Sequence, residues 1–247
     1  MKRLTLLKLL NLQTQLLNKL ISYIKAVFIQ SITEFFPVSS GAHLLLFCKD
    51  IETPELLHLG TIIPVLIYFR KDLFKNFFIV SFATIPVITV GWVIKQFSSY
   101  VSMQSFTQWG ILLGTLWMLF AELTPKAFQK KISYKHAFLI GLAQCLAFIP
   151  GFSRLGATLS MARVLEYDRH TAATFSFLLS VPAALGAVIL THPSSKDLFM
   201  LSPFIFLETV LGYISLWIFM KIFIKFDSRL LMFALIFYRF FIFWMFL

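Results

Sequence analysis

The chain has 247 residues, of which 59% are hydrophobic and only 13% are charged. This composition excludes an ordinary soluble domain, in which about half of the residues are apolar and about a quarter are charged. Apolar runs reach the length of about 20 residues that a helix needs to cross a bilayer. In a membrane protein, Lys and Arg collect in loops at the membrane surface, so the net charge of +11 indicates such loops and not binding of nucleic acid.

The N-terminal segment, residues 1–20, is basic and apolar, but polar residues interrupt it and no small-residue cleavage site follows. This pattern predicts a helix at the membrane interface and not a signal peptide. Later apolar runs predict six membrane-spanning helices, near residues 54–69, 77–97, 106–123, 171–191, 201–224 and 229–247. The predicted fold class is therefore all-α, a polytopic helical bundle that forms a single transmembrane domain.

Two further apolar segments, residues 21–49 and 135–166, are each interrupted near the middle by a proline that small and hydroxyl residues follow. The interruptions read P-V-S-S-G from Pro37 and P-G-F-S-R from Pro150. A proline removes a helical backbone hydrogen bond, and within a bilayer the freed groups need protein or a water-filled cavity as partner. Both segments are therefore predicted to be re-entrant hairpins of broken helices that face a polar pocket.

The two interruptions also resemble each other, because a glutamine precedes each proline by six or seven residues and a serine follows each by three. Paired broken helices of this kind indicate an internal repeat with a binding site between its halves. The predicted boundaries place a first repeat, a second repeat and a terminal span at residues 21–123, 135–224 and 229–247.

Loop charges predict that the two repeats are inverted relative to each other. Three Lys and Arg residues fall in the loops assigned to the outside, whereas twelve fall in the loops assigned to the inside, 70–75, 126–135, 163–169 and 221–229, as the positive-inside rule requires. The first hairpin then enters from outside and the second from inside, so that their tips can meet near the bilayer centre. The basic residues of a non-spanning N-terminus oppose this topology.

Ionisable side chains in the first hairpin are functional candidates, because burying them in lipid is costly. Glu34 follows Gln30 by four residues, so both project from one helical face. His43 follows Ser40 by three residues, which places them on one face of the half-helix after Pro37. The first hairpin therefore offers an acid, a hydroxyl and an imidazole.

Cysteines and the other histidines give weaker signals. Cys48 and Cys145 lie in apolar sequence without metal-ligand spacing and are expected to be free thiols. The remaining histidines lie near the ends of predicted spans, where placement at the membrane interface is expected; they are His58, His136, His170 and His192.

The second hairpin contributes a cation, since Arg154 directly follows Ser153 at the start of a half-helix and Thr158 lies one turn later. Helix N-termini, hydroxyls and a guanidinium together favour an anion, and phosphate fits best. A carboxylate beside a phosphate is expected to share Mg²⁺ with it or to handle protons. The residues predict a metal-assisted site for a phosphate or diphosphate group that is reached from within the bilayer.

Both motifs resemble those of the undecaprenyl-diphosphate phosphatase family, which is also known for bacitracin resistance. The first reads Q-S-I-T-E-F-F-P-V-S-S-G-A-H from Gln30, and the second reads P-G-F-S-R-L-G-A-T from Pro150. L-H-L-G-T after the first motif, F-S-F-L-L-S-V-P after the second and a closing F-Y-R at Arg239 agree with the family, and the resemblance covers about residues 21–247.

This resemblance implies a hydrolase of the bacterial cytoplasmic (inner) membrane that dephosphorylates the C55 polyprenyl diphosphate carrier and recycles it for peptidoglycan synthesis. It implies a divalent cation, Mg²⁺ or Ca²⁺, as cofactor. The expected partners are the polyprenyl diphosphate and membrane lipids, with no nucleic acid. The oligomeric state stays open, and a homodimer is one option.

The resemblance also assigns roles to the motif residues. Glu34 would be the key acidic residue, by metal binding or proton handling, and Arg154 would clamp the phosphates. Ser40 would be a nucleophile or a phosphate ligand, with His43 as its acid–base partner; attack by water is the open alternative. The other polar motif residues would complete or support the anion site, namely Ser39, Ser153, Thr158, Gln30 and Gln144.

Three departures from the family pattern are visible. Gln30 stands where a second glutamate is frequent, Leu155 replaces a serine, and a Gly-Ala pair at 41–42 replaces Thr-Gly. Activity is expected, because none of them changes the residues with the main assigned roles, namely Glu34, Ser40, His43 and Arg154.

Two other functions are alternatives to this enzyme. A transporter or flippase for a lipid phosphate would suit inverted repeats with broken helices, but a histidine paired with a hydroxyl favours the enzyme. The other common class of membrane phosphatase is set aside, because no histidine lies six residues after Arg154.

Overall fold

A computed structural model describes residues 2–48, 51, 54–97, 106–124, 131–225 and 228–247. Within these ranges the chain forms ten α-helices and no β-strand, which confirms the all-α class. The helices are α1 (Lys2–Thr33), α2 (Ser40–Phe47), α3 (His58–Tyr68), α4 (Arg70–Phe97), α5 (Thr107–Leu123), α6 (Tyr134–Gln144), α7 (Arg154–Val164), α8 (Arg169–Leu190), α9 (Ser195–Lys225) and α10 (Ser228–Met245).

Helix α1 continues through residue 20, where the sequence suggested a boundary. No proline or glycine lies within α1, so nothing in its sequence interrupts the helix at that point. Residues 11–20 are exposed on every face of the helix, whereas Ala26, Val27 and Gln30 are buried further along. The segment predicted to lie at the interface and the first arm of the first hairpin thus form one helix.

Both proline-containing segments break near the predicted positions. Pro37 lies in the break between α1 and α2, and Pro150 lies in the break between α6 and α7, after a 3₁₀ turn over Cys145–Phe148. In these positions neither proline has to interrupt a helical hydrogen-bond ladder. The sequence therefore located both breaks correctly.

The two breaks end in the same local structure. Ser39 and Ser153, the residues before α2 and α7, have positive φ angles of 70° and 76°. Each serine hydroxyl accepts a hydrogen bond from the backbone N–H three residues later, at Ala42 and Gly156. A residue other than glycine adopts such a backbone at a cost of about 1–3 kcal/mol, so its occurrence at both sites supports the internal similarity seen in the sequence. The structural counterpart of Ser153 is Ser39, however, and not Ser40, which the spacing from the proline had suggested.

Among the residues that the structure describes, three helical stretches are long and apolar enough to cross a membrane, namely Arg70–Gln96, Arg169–Leu190 and Ser195–Ile224. They coincide with the predicted spans 77–97, 171–191 and 201–224, which supports a membrane protein. The other predicted spans coincide with the shorter helices α3, α5 and α10, and their crossing of the bilayer stays a prediction.

Aromatic rings fix the first break against the centre of the bundle. Phe35, which directly follows Glu34, packs its ring 6.0 Å from that of Phe177 in α8. The ring of Phe177 lies 5.8 Å from that of Phe69 and 5.7 Å from that of Phe219 in α9. Ring pairs at these distances are favourable beyond their burial, so the first break packs against a continuous aromatic cluster.

Glycine permits a very close contact between two helices of the bundle. A Cβ atom built on Gly141 of α6 would overlap the backbone carbonyl of Ala83 in α4. Because backbone cannot move aside as a side chain can, only glycine allows α4 and α6 to approach this closely.

Substitution of Gly141 by alanine is therefore expected to destabilise the fold by about 1–3 kcal/mol, the usual cost of overpacking. Thermal unfolding of the detergent-solubilised chain measures the effect. Gly186→Ala is the matched control, because a Cβ at Gly186 meets no atom within 4 Å. Equal unfolding temperatures for the two variants would contradict the close contact.

Candidate active site

The two breaks meet through Glu34 and Arg154. Nη2 of Arg154 donates a hydrogen bond to Oε1 of Glu34 at 2.7 Å, and these side chains are only 17% and 9% exposed. On the other carboxylate oxygen, Glu34 accepts hydrogen bonds from Oγ of Ser40 at 2.6 Å and from Nε2 of Gln30 at 3.3 Å. The structure thus brings together four residues that the sequence analysis selected, two of which are 120 positions apart.

His58 joins this group, although sequence analysis assigned it only to the membrane interface. Its Nδ1 lies 3.1 Å from Nε2 of Gln30 and 3.9 Å from Oε1 of Glu34. Since the amide nitrogen of Gln30 can only donate, Nδ1 of His58 is the acceptor in this contact. Its position in the L-H-L-G-T stretch was the available signal, but the contact itself depends on how α3 lies relative to α1.

His43 is engaged elsewhere and does not meet Ser40. Nδ1 of His43 lies 2.7 Å from the backbone carbonyl of Ser39, and Nε2 lies 2.8 Å from the hydroxyl of Tyr238 in α10. Because a carbonyl oxygen only accepts, Nδ1 carries the proton and Nε2 accepts from Tyr238. The expected acid–base pair of His43 and Ser40 is therefore not formed, and the hydroxyl of Ser40 faces Glu34 instead.

The predicted anion-binding hydroxyls divide into two groups. Ser39 and Ser153 line the central cavity while their oxygens cap the N-termini of α2 and α7. Thr158 is fully buried, and its hydroxyl donates to the backbone carbonyl of Arg154 at 3.1 Å. Two helix N-termini thus border the cavity, which suits an anion, whereas Thr158 supports the helix that carries Arg154.

A cavity of about 600 Å³ extends from the two breaks along α4 and α8. Its polar end contains Glu34, Ser40, His58 and Arg154. Gln144, predicted to support the site, also lines it, and its buried amide has no hydrogen-bond partner in the described part of the chain. The remaining wall is apolar and includes Val87, Ile88, Trp92, Pro182, Ala183 and Ile189. The cavity can therefore hold a molecule with a charged end and an apolar body.

Arg239 holds the two breaks together. This fully buried residue donates from Nη2 to the carbonyls of Gly151 and Phe152 at 3.0 and 3.1 Å, and from Nη1 to the carbonyl of Pro37 at 3.3 Å. Its Nε donates to Oγ1 of Thr115 at 3.0 Å. The F-Y-R motif included Arg239 but indicated no role for it, because the partners of this side chain lie far from it in the sequence.

Oxygen atoms without partners indicate where a cation fits. Among the described residues, no three His, Cys, Asp or Glu side chains lie close enough together to hold a metal ion. Cys48 and Cys145 are free thiols, as expected. However, Oε1 of Gln30 and both carboxylate oxygens of Glu208 are buried and lack a hydrogen-bond donor within the described ranges. Oxygen ligands of this kind suit Mg²⁺ or Ca²⁺, so the oxygens of Gln30 and Glu208 are of the chemical type that a divalent cation requires. Glu208 was not among the predicted site residues, although an acidic residue within a predicted span is itself a signal.

Comparison with known proteins agrees with these motifs. The sequence model of the family described as bacitracin resistance protein BacA matches residues 23–243. Undecaprenyl-diphosphatase 4 of Bacillus thuringiensis subsp. konkukian (strain 97-27) is 39% identical over 66% of this chain and 70% of the relative. Undecaprenyl-diphosphatase 3 of Bacillus cereus (strain ATCC 10987 / NRS 248) is 37% identical with the same coverage.

Substitution of Arg239 by lysine is expected to destabilise the protein by about 2–4 kcal/mol. A lysine keeps the charge, but its compact ammonium group cannot reach carbonyls of both breaks as the guanidinium fork does. Thermal unfolding in detergent measures the loss, with Arg70→Lys at an exposed position as the matched control. A variant at position 239 that unfolds with the wild type would show that the clamp carries no stability.

Proposed function

The chain belongs to the bacitracin resistance protein BacA family, and we propose that it is a membrane diphosphatase that hydrolyses undecaprenyl diphosphate to undecaprenyl phosphate and inorganic phosphate. The names of its relatives support this substrate. The observation that carries the proposal is the Glu34–Arg154 pair, which brings an acid and a guanidinium together at the polar end of an apolar cavity. Recycling of the lipid carrier for peptidoglycan synthesis, and with it resistance to bacitracin, would follow from this activity.

The contacts favour Glu34 as the group that accepts a proton from the nucleophile. Its carboxylate lies 2.6 Å from Oγ of Ser40, within the distance required of a general base, whereas both ring nitrogens of His43 have other partners. In this proposal Ser40 attacks the terminal phosphorus, undecaprenyl phosphate leaves, and water then hydrolyses the resulting phosphoserine to release inorganic phosphate. If water attacks in place of Ser40, inorganic phosphate forms directly. His43 would then act by fixing the N-terminus of α2.

Arg154 would stabilise the negative charge that develops on the phosphate oxygens. Its guanidinium pairs with Glu34, so both charges are balanced within the protein before a substrate arrives. The N-termini of α2 and α7 would add backbone N–H groups to the same end of the cavity. Such charge stabilisation is the main requirement of phosphoryl transfer.

A divalent cation, Mg²⁺ or Ca²⁺, would supply further neutralisation of the diphosphate when bound. Glu34 and the unpartnered Oε1 of Gln30 are the groups near the first break that would hold it. Mg²⁺ is commonly bound by one or two carboxylates together with substrate phosphate, so a complete protein ligand set is not required.

The apolar part of the cavity would receive the first section of the prenyl chain. Helices α4 and α8 contribute most of its apolar wall, and two of the lining side chains, Trp92 and Ile189, are 64% and 65% exposed. Large apolar side chains exposed on helices that are long enough to span a membrane are suited to lipid contact. The substrate would therefore enter sideways from the bilayer, with the rest of its chain remaining in lipid.

We also propose the finer architecture expected from the sequence. The segments 21–49 and 135–166 would be re-entrant hairpins of an inverted repeat within one multi-pass domain in the bacterial inner membrane. The equal backbone geometry at Ser39 and Ser153 and the meeting of the two breaks at Glu34 and Arg154 support this arrangement.

The function is tested by Arg154→Ala in a phosphate-release assay with undecaprenyl diphosphate and the detergent-solubilised chain. Loss of the guanidinium is expected to lower kcat/KM by about 10²–10³-fold, as for other groups that stabilise transition-state charge. Arg70→Ala, at an exposed position, is the control. Substrate binding without phosphate release by the wild type would contradict the enzyme and favour a lipid-phosphate transporter.

Gly186→Trp tests whether the apolar part of the cavity receives the prenyl chain. Gly186 lines the cavity and a Cβ there meets no atom within 4 Å, so the indole would occupy space assigned to the prenyl chain. We expect KM for undecaprenyl diphosphate to rise about tenfold or more, with little change for a short water-soluble diphosphate. Leu185→Trp, on the neighbouring residue outside the cavity lining, is the matched control. Equal effects on both substrates would contradict binding of the prenyl chain in this part of the cavity.

A further inference from the structure

Glu208 is an unusual residue for its position in α9. It is fully buried, and neither carboxylate oxygen has a hydrogen-bond partner in the described part of the chain. The helix that carries it is long and apolar enough to span a membrane. A buried carboxylate without a partner is costly, and an acidic residue within a membrane segment is a functional candidate for that reason.

The structure makes room for Glu208 beside the active site. A Cβ atom added to Gly60 of α3 would lie 2.7 Å from Cβ and 2.7 Å from Oε2 of Glu208, so the absence of a side chain at residue 60 accommodates the glutamate. Gly60 follows His58 by two residues, and His58 contacts both Gln30 and Glu34. Glu208 is also near enough to Glu34 for their carboxylates to interact electrostatically.

Gln30 also has a buried oxygen atom without a hydrogen-bond partner. Its Nε2 contacts Glu34 and His58, but its Oε1 is buried without a donor among the residues that the structure describes. Gln30 in α1 and Glu208 in α9, two helices that pack against each other, thus both have buried oxygen atoms without a partner among the described residues. A proton on Glu208 would neutralise its carboxyl and supply a single O–H donor, whereas a hard cation can bind the amide oxygen and both carboxylate oxygens at once.

We propose that Glu208 is the second acidic residue of the active site and that it binds, together with Oε1 of Gln30, the divalent cation that serves the diphosphate. Position 30 carries an amide, which cannot supply a negative charge, and α9 supplies that charge instead. The proposal rests on the divalent cation of the proposed function. It does not depend on a ready cluster of three acidic or histidine ligands, because substrate phosphate completes the coordination of such ions.

The proposal is tested by Mn²⁺ binding to the detergent-solubilised full chain, followed by the electron paramagnetic resonance signal of the free ion. Glu208→Gln is expected to weaken Mn²⁺ binding at least about tenfold. Glu166→Gln, at an exposed residue outside the site, is the matched control and is expected to bind as the wild type does.

The double variant Gln30→Glu with Glu208→Gln provides the decisive comparison. It returns one carboxylate to the site from α1, so we expect affinity for Mn²⁺ to recover to within a few-fold of the wild type. If Glu208→Gln fails to fold, Gly60→Ala replaces it, since the added methyl group displaces Glu208 and is expected to weaken binding as well. Thermal unfolding without metal monitors folding in each variant.

Several outcomes would overturn the proposal. Unchanged Mn²⁺ affinity of Glu208→Gln would show that Glu208 is a neutral buried acid that binds no cation, and failure of the double variant to recover would show that position 30 and Glu208 are not equivalent. A wild-type chain that does not bind Mn²⁺ would also overturn it. Because binding is measured without substrate turnover, a chain that binds Mn²⁺ as expected and releases no phosphate would count against the proposed hydrolysis alone.

Discussion

The structure depends on one buried guanidinium that joins two breaks in the helical backbone. A broken helix in a membrane leaves carbonyl groups that lipid cannot satisfy, and Arg239 donates to those of Pro37, Gly151 and Phe152. The same contacts give a fully buried positive charge the polar neighbours it requires. The breaks and the arginine thus compensate for each other, and the position of each break relative to the other follows from this clamp.

The polar site is a consequence of that arrangement. With the breaks held together, Glu34 and Arg154 come within 2.7 Å, and each charge gives the other a partner inside a largely apolar bundle. Ser39 and Ser153 adopt strained backbone angles, and their side chains cap the helices that begin beside the site. The strain therefore occurs where two helix N-termini must turn towards the cavity, as is common at functional sites.

The cavity matches the two parts of the proposed amphiphilic substrate. A diphosphate requires cations and hydrogen-bond donors, whereas a prenyl chain requires apolar surroundings. The two breaks provide the first, and the walls from α4 and α8 provide the second. Since the apolar walls belong to helices that are themselves suited to a bilayer, a lipid substrate could reach the polar end without passage of its chain through water.

The helical class, both breaks and most of the polar residues that meet between them could be predicted from the sequence, because these depend on local chemistry. A proline followed by small and hydroxyl residues marks each break, whereas Pro64 and Pro182 lie inside helices. A four-residue spacing places Gln30 and Glu34 on one helical face. The partners or surroundings of four other residues follow from the packing of the helices and could not be predicted; these residues are His43, His58, Glu208 and Arg239. His43 shows the reason: its spacing from Ser40 was read correctly, but its ring nitrogens bind the carbonyl of Ser39 and the hydroxyl of Tyr238, 195 residues away. The contact with Tyr238 arises from packing between helices that are distant in the chain, which no local spacing encodes.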